Sequence, residues 1–163
     1  RYEDRLDIMQ WRNEQMYHLR QDNPLTPVAQ DNYFKTVVSE LFEKDNPNQI
    51  LFSFLENNIC VGYGGLVHIN WIDKYAEISF IMNPILERQS FKFYWTEFLN
   101  LIEEVAFIQL KLHKVFVYAF DLRPNLYDVL KANNYFNDAV LKEHCLFEGN
   151  YIDVVIHSKI SVI

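Results

Sequence analysis

Two apolar, β-branched segments, "YAEISFIM" (75–82) and "KVFVYAF" (114–120), flank a stretch that reads as one long helix, roughly 90–111. A strand, a long helix and a second strand in that order imply a parallel pair in the middle of a sheet. Phe91, Tyr94, Trp95, Phe98, Leu101, Ile102, Val105 and Phe107 occupy more than one face of the helix. It is therefore expected to pack against the sheet and against something else.

The flanking segments extend this unit. "QILFSFL" (49–55) and "ICVGYGGLVHI" (59–69) precede 75–82, separated by "ENN" and "NWIDK", which read as hairpin turns. The three form an antiparallel meander that Pro84 stops. Gly62, Gly64 and Gly65 lie inside the second strand, where glycine marks a bulge or a close backbone approach rather than a phosphate loop. Ahead of the meander, Leu6, Ile8, Met9, Met16 and Leu19 recur near helical spacing and predict a helix over 4–19. "DNPLTP" ends it, and Thr26 with Pro27 opens a second helix reaching about Lys44. Behind 114–120, Pro124 begins a break, residues 125–133 form a short helix, and strands 140–147 and 151–157 turn at "EGN". The order is ααβββαβαββ, an α+β fold without repeats or linkers, expected to be one domain over 1–163.

Composition narrows the function. A net charge of -7 and a pI near 5.2 argue against a nucleic-acid binder, which needs a clustered basic face. A few local Lys and Arg residues can still hold a small anion. No apolar run approaches the roughly 18–20 residues that span a bilayer. The charged start "RYEDRLDIMQW" lacks the core of a signal peptide, and the chain opens on Arg rather than Met. A cytoplasmic location is the expectation. Cys60 and Cys145 read as free thiols, and five singly scattered histidines predict no metal site.

Several short strings, in order, resemble the GNAT family of acetyl-CoA-dependent N-acyltransferases. "WRN" (11–13) is similar to the end of the first helix in ribosomal-protein N-terminal acetyltransferases and in the N-acetyltransferases of nucleotide-linked amino sugars. "YAEISFIMNP" (75–84) resembles their fourth strand, and "AFIQLKLHKVFVYAF" (106–120) the passage from third helix to fifth strand. "NNYF" (133–136) and "FEGNYIDVVIHSKI" (147–160) stand where the family has its last helix-to-strand turn and its closing hairpin. The family's first strand has no counterpart.

The resemblance implies that strands 75–82 and 114–120 splay apart and admit coenzyme A. The backbone near Phe80, Ile81 and Met82 would pair with the pantetheine arm and polarise the thioester carbonyl, where attack builds negative charge. The family's pyrophosphate loop is glycine-rich, so that successive N–H groups close on the diphosphate. Here that stretch reads "NPILERQSFKFYW" and has no glycine. Either Arg88, Gln89, Ser90, Phe91 and Lys92 supply the anion site, or the aromatics block it. Phe93, Tyr94 and Trp95 are read mainly as helix packing. After strand 114–120, Pro124 falls at the family's Asn position and Lys131 at that of its Tyr acid; Asn125 and Tyr127 are the nearest stand-ins. Glu77 and His68 are the alternative general bases. Trp11, Arg12 and Asn13 fall on the acceptor side, with Arg12 suited to an acceptor carboxylate or phosphate.

The function implied is an N-acetyltransferase using acetyl-CoA, without a metal, by direct attack of a primary amine. The acceptor is a small molecule, a nucleotide-linked amino sugar or a protein N-terminus, and a homodimer is an open option. The alternative is a catalytically degenerate GNAT-fold binding or regulatory protein with weakened coenzyme binding. A structural domain of another fold survives only if the ordered strings are coincidence.

Overall fold

Asn57 and Asn58 both take left-handed backbone angles, φ 49° and 66°. Two such residues in succession reverse a chain in the sense that suits twisted strands. β1 (Ile50–Glu56) therefore returns directly as β2 (Ile59–Asn70), which pairs in turn with β3 (Tyr75–Met82). The computed structural model describes residues 1–162; residue 163, the last of the expected domain, lies outside the described residues. β4 (Lys114–Phe120), β5 (Phe136–Phe147) and β6 (Asn150–Ile160) complete a six-stranded sheet of order β1-β2-β3-β4-β6-β5. Every pairing is antiparallel except β3 with β4.

That parallel pair is short. It holds at Tyr75–Lys114, Ala76–Val115 and Glu77–Phe116 and then stops. Beyond it, β3 stays paired with β2 as far as Met82, and β4 stays paired with β6 as far as Phe120. Each strand keeps its antiparallel ladder and loses only the parallel one, which is slightly the weaker per residue. The sheet thus divides along the seam expected from the sequence.

α1 (Arg5–Glu14), α2 (Pro27–Tyr33) and α3 (Ser39–Leu41) precede the sheet, the last two joined by a π-helical stretch, Phe34–Val38. Thr26 caps α2 by accepting the Ala29 N–H at 3.2 Å, with Pro27 as its first residue. Ile8, Trp11 and Phe34 pack with Cys60, Tyr63 and Ile81 in one cluster. The larger cluster takes Phe80 and Met82, with Phe98, Trp95 and Leu99 of α4 (Pro84–Glu103) and Val129 and Leu130 of α5 (Pro124–Ala132). Alternation along β3 sends Ile81 to one cluster and its neighbours to the other. Phe80 stacks on Phe98 at 3.9 Å between centroids. Gly64 sits where a Cβ would lie 2.2 Å from the Ser79 carbonyl oxygen, a close approach only glycine permits.

Several boundaries differ from expectation. The first helix ends at Glu14 rather than 19, because Gln15 leaves helical angles (φ -114°, ψ 18°) and its buried side chain bonds β3. The second helical run ends at Leu41, short of Lys44. The long helix starts at Pro84, not 90, because Asn83 caps it by accepting the Ile85 N–H at 2.9 Å. Position 90 is instead a kink, Ser90 at φ -146°, ψ 41°. β5 and β6 run longer than 140–147 and 151–157, since cross-strand pairing carries the polar Asn137 and Asp138 into the sheet. Cys60 is buried, Cys145 half-buried, and both are free thiols.

Candidate functional site

The divided seam opens into a cleft of about 350 Å³, walled by Ile78–Ile81 of β3 and Val117–Phe120 of β4. Trp95 and Leu126 line it from the α4 and α5 side. At the opposite, paired end stand both of the expected bases. The Nδ1 of His68 is 2.8 Å from Oε2 of Glu77. His68 lies at the register shift in β2 between Val67 and Asn70 and has φ 49°. This left-handed conformation is uncommon outside glycine, though less so for histidine. It places the imidazole, 62% exposed, beside a Glu77 side chain only 12% exposed. A carboxylate accepts only, so in the neutral tautomer this contact favours, Nδ1 carries the proton and Nε2 keeps its lone pair. The Arg20 guanidinium reaches Glu77 Oε1 at 3.3 Å and lies over the Tyr118 ring at 4.1 Å.

The far end is closed by a relay of side chains. Arg123, just after β4, pairs with Glu87 of α4 at 2.5 Å, with side chains 11% and 14% exposed. The same guanidinium donates to Nδ1 of His18 at 3.3 Å; His18 Nε2 donates to Gln15 Oε1 at 3.2 Å; Gln15 Nε2 donates to the Met82 carbonyl at 2.8 Å. Both ring nitrogens of His18 are thus matched in the neutral form. Burial, aided by the Arg123 charge, lowers its pKa to about 3.

On the α1 and α2 side, a second cleft of about 470 Å³ adjoins the first, and Arg12, Arg20, Tyr33 and Tyr63 line both. Arg12 donates to Gln21 Oε1 at 3.2 Å and has no ion-pair partner among the described residues. Burial lowers its pKa. Burial raises those of Tyr33 and Tyr63, and the Tyr63 hydroxyl is buried without a hydrogen-bond partner.

The three residues of "WRN" separate. Trp11 is in the packed core, and Arg12 faces the clefts. Asn13 clamps the 21–25 loop, donating to the Leu25 carbonyl at 2.9 Å and accepting the Leu25 N–H at 2.7 Å. Neither Trp11 nor Asn13 lines either cleft; burial takes the first and the loop takes the second. Phe80 and Ile81 lie on the open part of β3, whereas the Met82 carbonyl is already held by Gln15. Arg88, Gln89, Ser90 and Lys92 are exposed around the kink, with Phe91 half-buried, and none of the five lines the main cleft. Tyr94 and Trp95 are buried as expected, and Phe93 is not. Tyr127 and Asn125 are placed away from the cleft. The Tyr127 hydroxyl turns to Asp121 Oδ1 at 3.1 Å and its ring stacks on His157, while Asn125 is exposed on the first turn of α5.

Arg20, His18, Arg123, Tyr33, Tyr63 and Tyr118 went unnoticed in the sequence. For Arg123 a signal existed: it immediately precedes the Pro124 that occupies the family's Asn position. The others sit in no motif. Among the described residues no group of three or more His, Cys, Asp or Glu is placed to hold a metal ion, and no helix is long and apolar enough to cross a membrane.

Comparison with known proteins agrees with this geometry. A family model for the acetyltransferase (GNAT) domain matches residues 1–156. The spermidine N-acetyltransferase of Vibrio cholerae, solved in complex with CoA and spermine, superposes with a TM-score of 0.83 at 17% identity, over 97% of this chain and 90% of that one. A dodecameric structure of the same enzyme in an intermediate state gives 0.78 at 19% identity, over 98% and 90%. At such identities the likeness is one of fold; the family match carries the assignment. The chain belongs to the acetyltransferase (GNAT) domain family and is an acyltransferase with acetyl-CoA as its co-substrate.

Proposed function

We propose that the protein acetylates a primary amine by direct attack, with His68 accepting the amine proton and Glu77 holding the imidazole in place. One observation carries this reading: the His68–Glu77 contact stands where β3 and β4 part, beside the β3 edge left without its parallel partner.

The residues present fit the co-substrate. The seam is open over Ile78–Ile81, which suits an extended arm lying along a strand. Arg88 and Lys92 are exposed at the Ser90 kink with no ion-pair partner among the described residues, which suits a diphosphate. Bound there, acetyl-CoA supplies an acyl group on a thiol leaving group.

The protein's part is to hold, orient and move a proton. His68 Nε2 takes the proton from the attacking nitrogen as the N–C bond forms and the C–S bond breaks, and the imidazolium then returns that proton, directly or through water, to the departing thiolate. Glu77 stabilises the imidazolium so formed, much as a buried carboxylate orients a catalytic histidine elsewhere. Backbone N–H groups at the open β3 edge face the charge that develops on the carbonyl oxygen. The acceptor lies on the α1 and α2 side, reached through the second cleft. Spermine is the amine in the Vibrio cholerae complex, so a polyamine belongs among the acceptors tested.

The experiment has two readouts. Desulfo-CoA at about 100 times its dissociation constant should stabilise the protein by about 2.7 kcal/mol in thermal unfolding. Thiol release from acetyl-CoA should be stimulated by at least one primary amine in a panel of polyamines, amino acids, amino sugars and peptide N-termini. Binding without any thiol release would point to the catalytically degenerate reading; neither binding nor release would sink both.

A further inference from the structure

We infer that the acceptor amine carries an oxyanion, a carboxylate or a phosphate, which the Arg12 guanidinium receives together with the hydroxyls of Tyr33 and Tyr63. The inference rests on the acetyltransferase reading for the meaning of "acceptor", but on separate observations for the anion. Arg12, Tyr33 and Tyr63 line both clefts where they meet. Arg12 and the two hydroxyls can all donate, and among the described residues no carboxylate answers them. Among the described residues Arg12 has only a neutral amide oxygen as hydrogen-bond partner, the Tyr63 hydroxyl is buried with none, and no side-chain hydrogen bond engages the Tyr33 hydroxyl. A half-buried guanidinium without a counter-charge carries a desolvation cost, and an anionic ligand would offset it.

Charge around the clefts points the same way. Among the described residues Glu77 is the sole carboxylate lining the first cleft, and Arg20 and His68 already occupy its two oxygens. Asp22, exposed in the 21–25 loop, is the sole one among the described residues that lines the second. A polycationic acceptor would meet Arg12, Arg20 and Arg123 there with little to balance its charge. The donors also belong to the α1 and α2 side: Tyr63 packs with Ile8, Trp11 and Phe34, whereas the Ser90 kink with Arg88 and Lys92 belongs to α4 and the other cluster. The diphosphate of the co-substrate and the oxyanion of the acceptor would therefore be held in different places. The clamp of Asn13 on Leu25 fixes the loop that walls the second cleft, so the Arg12 pocket is set before ligand arrives.

The test compares amines that differ only in charge: alanine with alaninamide for a carboxylate, glucosamine 6-phosphate with glucosamine for a phosphate, and spermidine as the polycation. Binding is measured calorimetrically on protein saturated with desulfo-CoA, so that anion sites for the co-substrate are filled, and thiol release is measured beside it. The anionic member of at least one pair should bind tenfold or more tightly than its neutral twin, and spermidine should not compete. Arg12→Gln should bring that ratio close to one while leaving desulfo-CoA affinity unchanged. Tyr33→Phe, a milder change, should lower it severalfold. The pair that responds identifies the oxyanion. Equal binding of both members of each pair, preference for spermidine, or an anion preference that survives Arg12→Gln would overturn the inference. Because binding is read without turnover, absence of thiol release would count against the catalytic reading alone.

Discussion

The imidazole of His68 and the carboxylate of Glu77 meet at 2.8 Å on two different strands, β2 and β3, at the rung where the parallel pair ends. Two residues read from the sequence as rival bases are thus one unit. A residue held by another should share its loss. His68→Ala is expected to lower kcat about 100-fold or more, within the usual range for a general base. Glu77→Gln should cost somewhat less, and the double variant little more than His68→Ala alone. Steady-state kinetics at saturating acetyl-CoA decides it; additive losses would mean independent roles.

A stability prediction follows from Gly64. A methyl group there would stand 2.2 Å from the Ser79 carbonyl oxygen and 2.8 Å from the Phe80 Cα, both backbone atoms of β3. Backbone cannot swing aside as a side-chain tip can. Gly64→Ala should destabilise the fold by about 1–3 kcal/mol, the usual cost of overpacking. Urea denaturation midpoints measure this, and an unchanged midpoint would contradict the close approach.

Arg123 and Glu87 join the segment after β4 to the segment after β3, with both side chains largely buried. Removing one partner leaves a buried charge, so Glu87→Gln should cost about 1.5–3 kcal/mol. Because salt screens buried pairs weakly, the loss should persist at high ionic strength. A loss that vanishes in salt would mark the pair as a surface contact.

Acid stability carries a histidine signature. The pKa of His18 falls from 6.5 to about 3 and that of His157 is also lowered, in both cases chiefly by burial. Above the unfolded value neither state binds the proton, and stability is unaffected. Below it the unfolded chain takes up protons that the folded chain refuses, so stability declines as pH falls. For His18 the window runs from about 6.5 towards 3, with a slope of at most about 1.4 kcal/mol per pH unit. His18→Gln should flatten the decline between pH 6 and 4.5, above the range where carboxylates titrate strongly. Unfolding free energies at several pH values check it; an unaltered slope would place the proton uptake elsewhere.

The element order was legible because it depends on local properties. Period-2 apolar runs, the Thr26–Pro27 start, the Asn57–Asn58 reversal and the Pro84 and Pro124 breaks act within a few residues of themselves. Glu77 and Arg12 were legible as candidates because the strings around them resemble a family. Boundaries failed where distant partners intervened. Gln15 left its helix to bond Met82, and Asn137 and Asp138 entered a strand because β6 lay alongside.

By itself, then, the amino-acid order determined the succession of helices and strands, the parallel pair at the centre and the family. Tertiary structure alone decided at which rung the pair comes apart, after Glu77 and Phe116, since that depends on β2 and β6 holding the outer edges. It also decided which side chains share the opening. His68 reaches Glu77, Arg123 reaches Glu87 and His18, and Arg12 meets Tyr33 and Tyr63 across separations that no local pattern encodes. Tyr127 shows the converse: near the expected position in the chain, it lies outside the cleft because Asp121 and His157 hold it elsewhere. Spacing along a chain constrains only neighbours within a turn or a rung, whereas a site is assembled from whatever packing brings within hydrogen-bond reach.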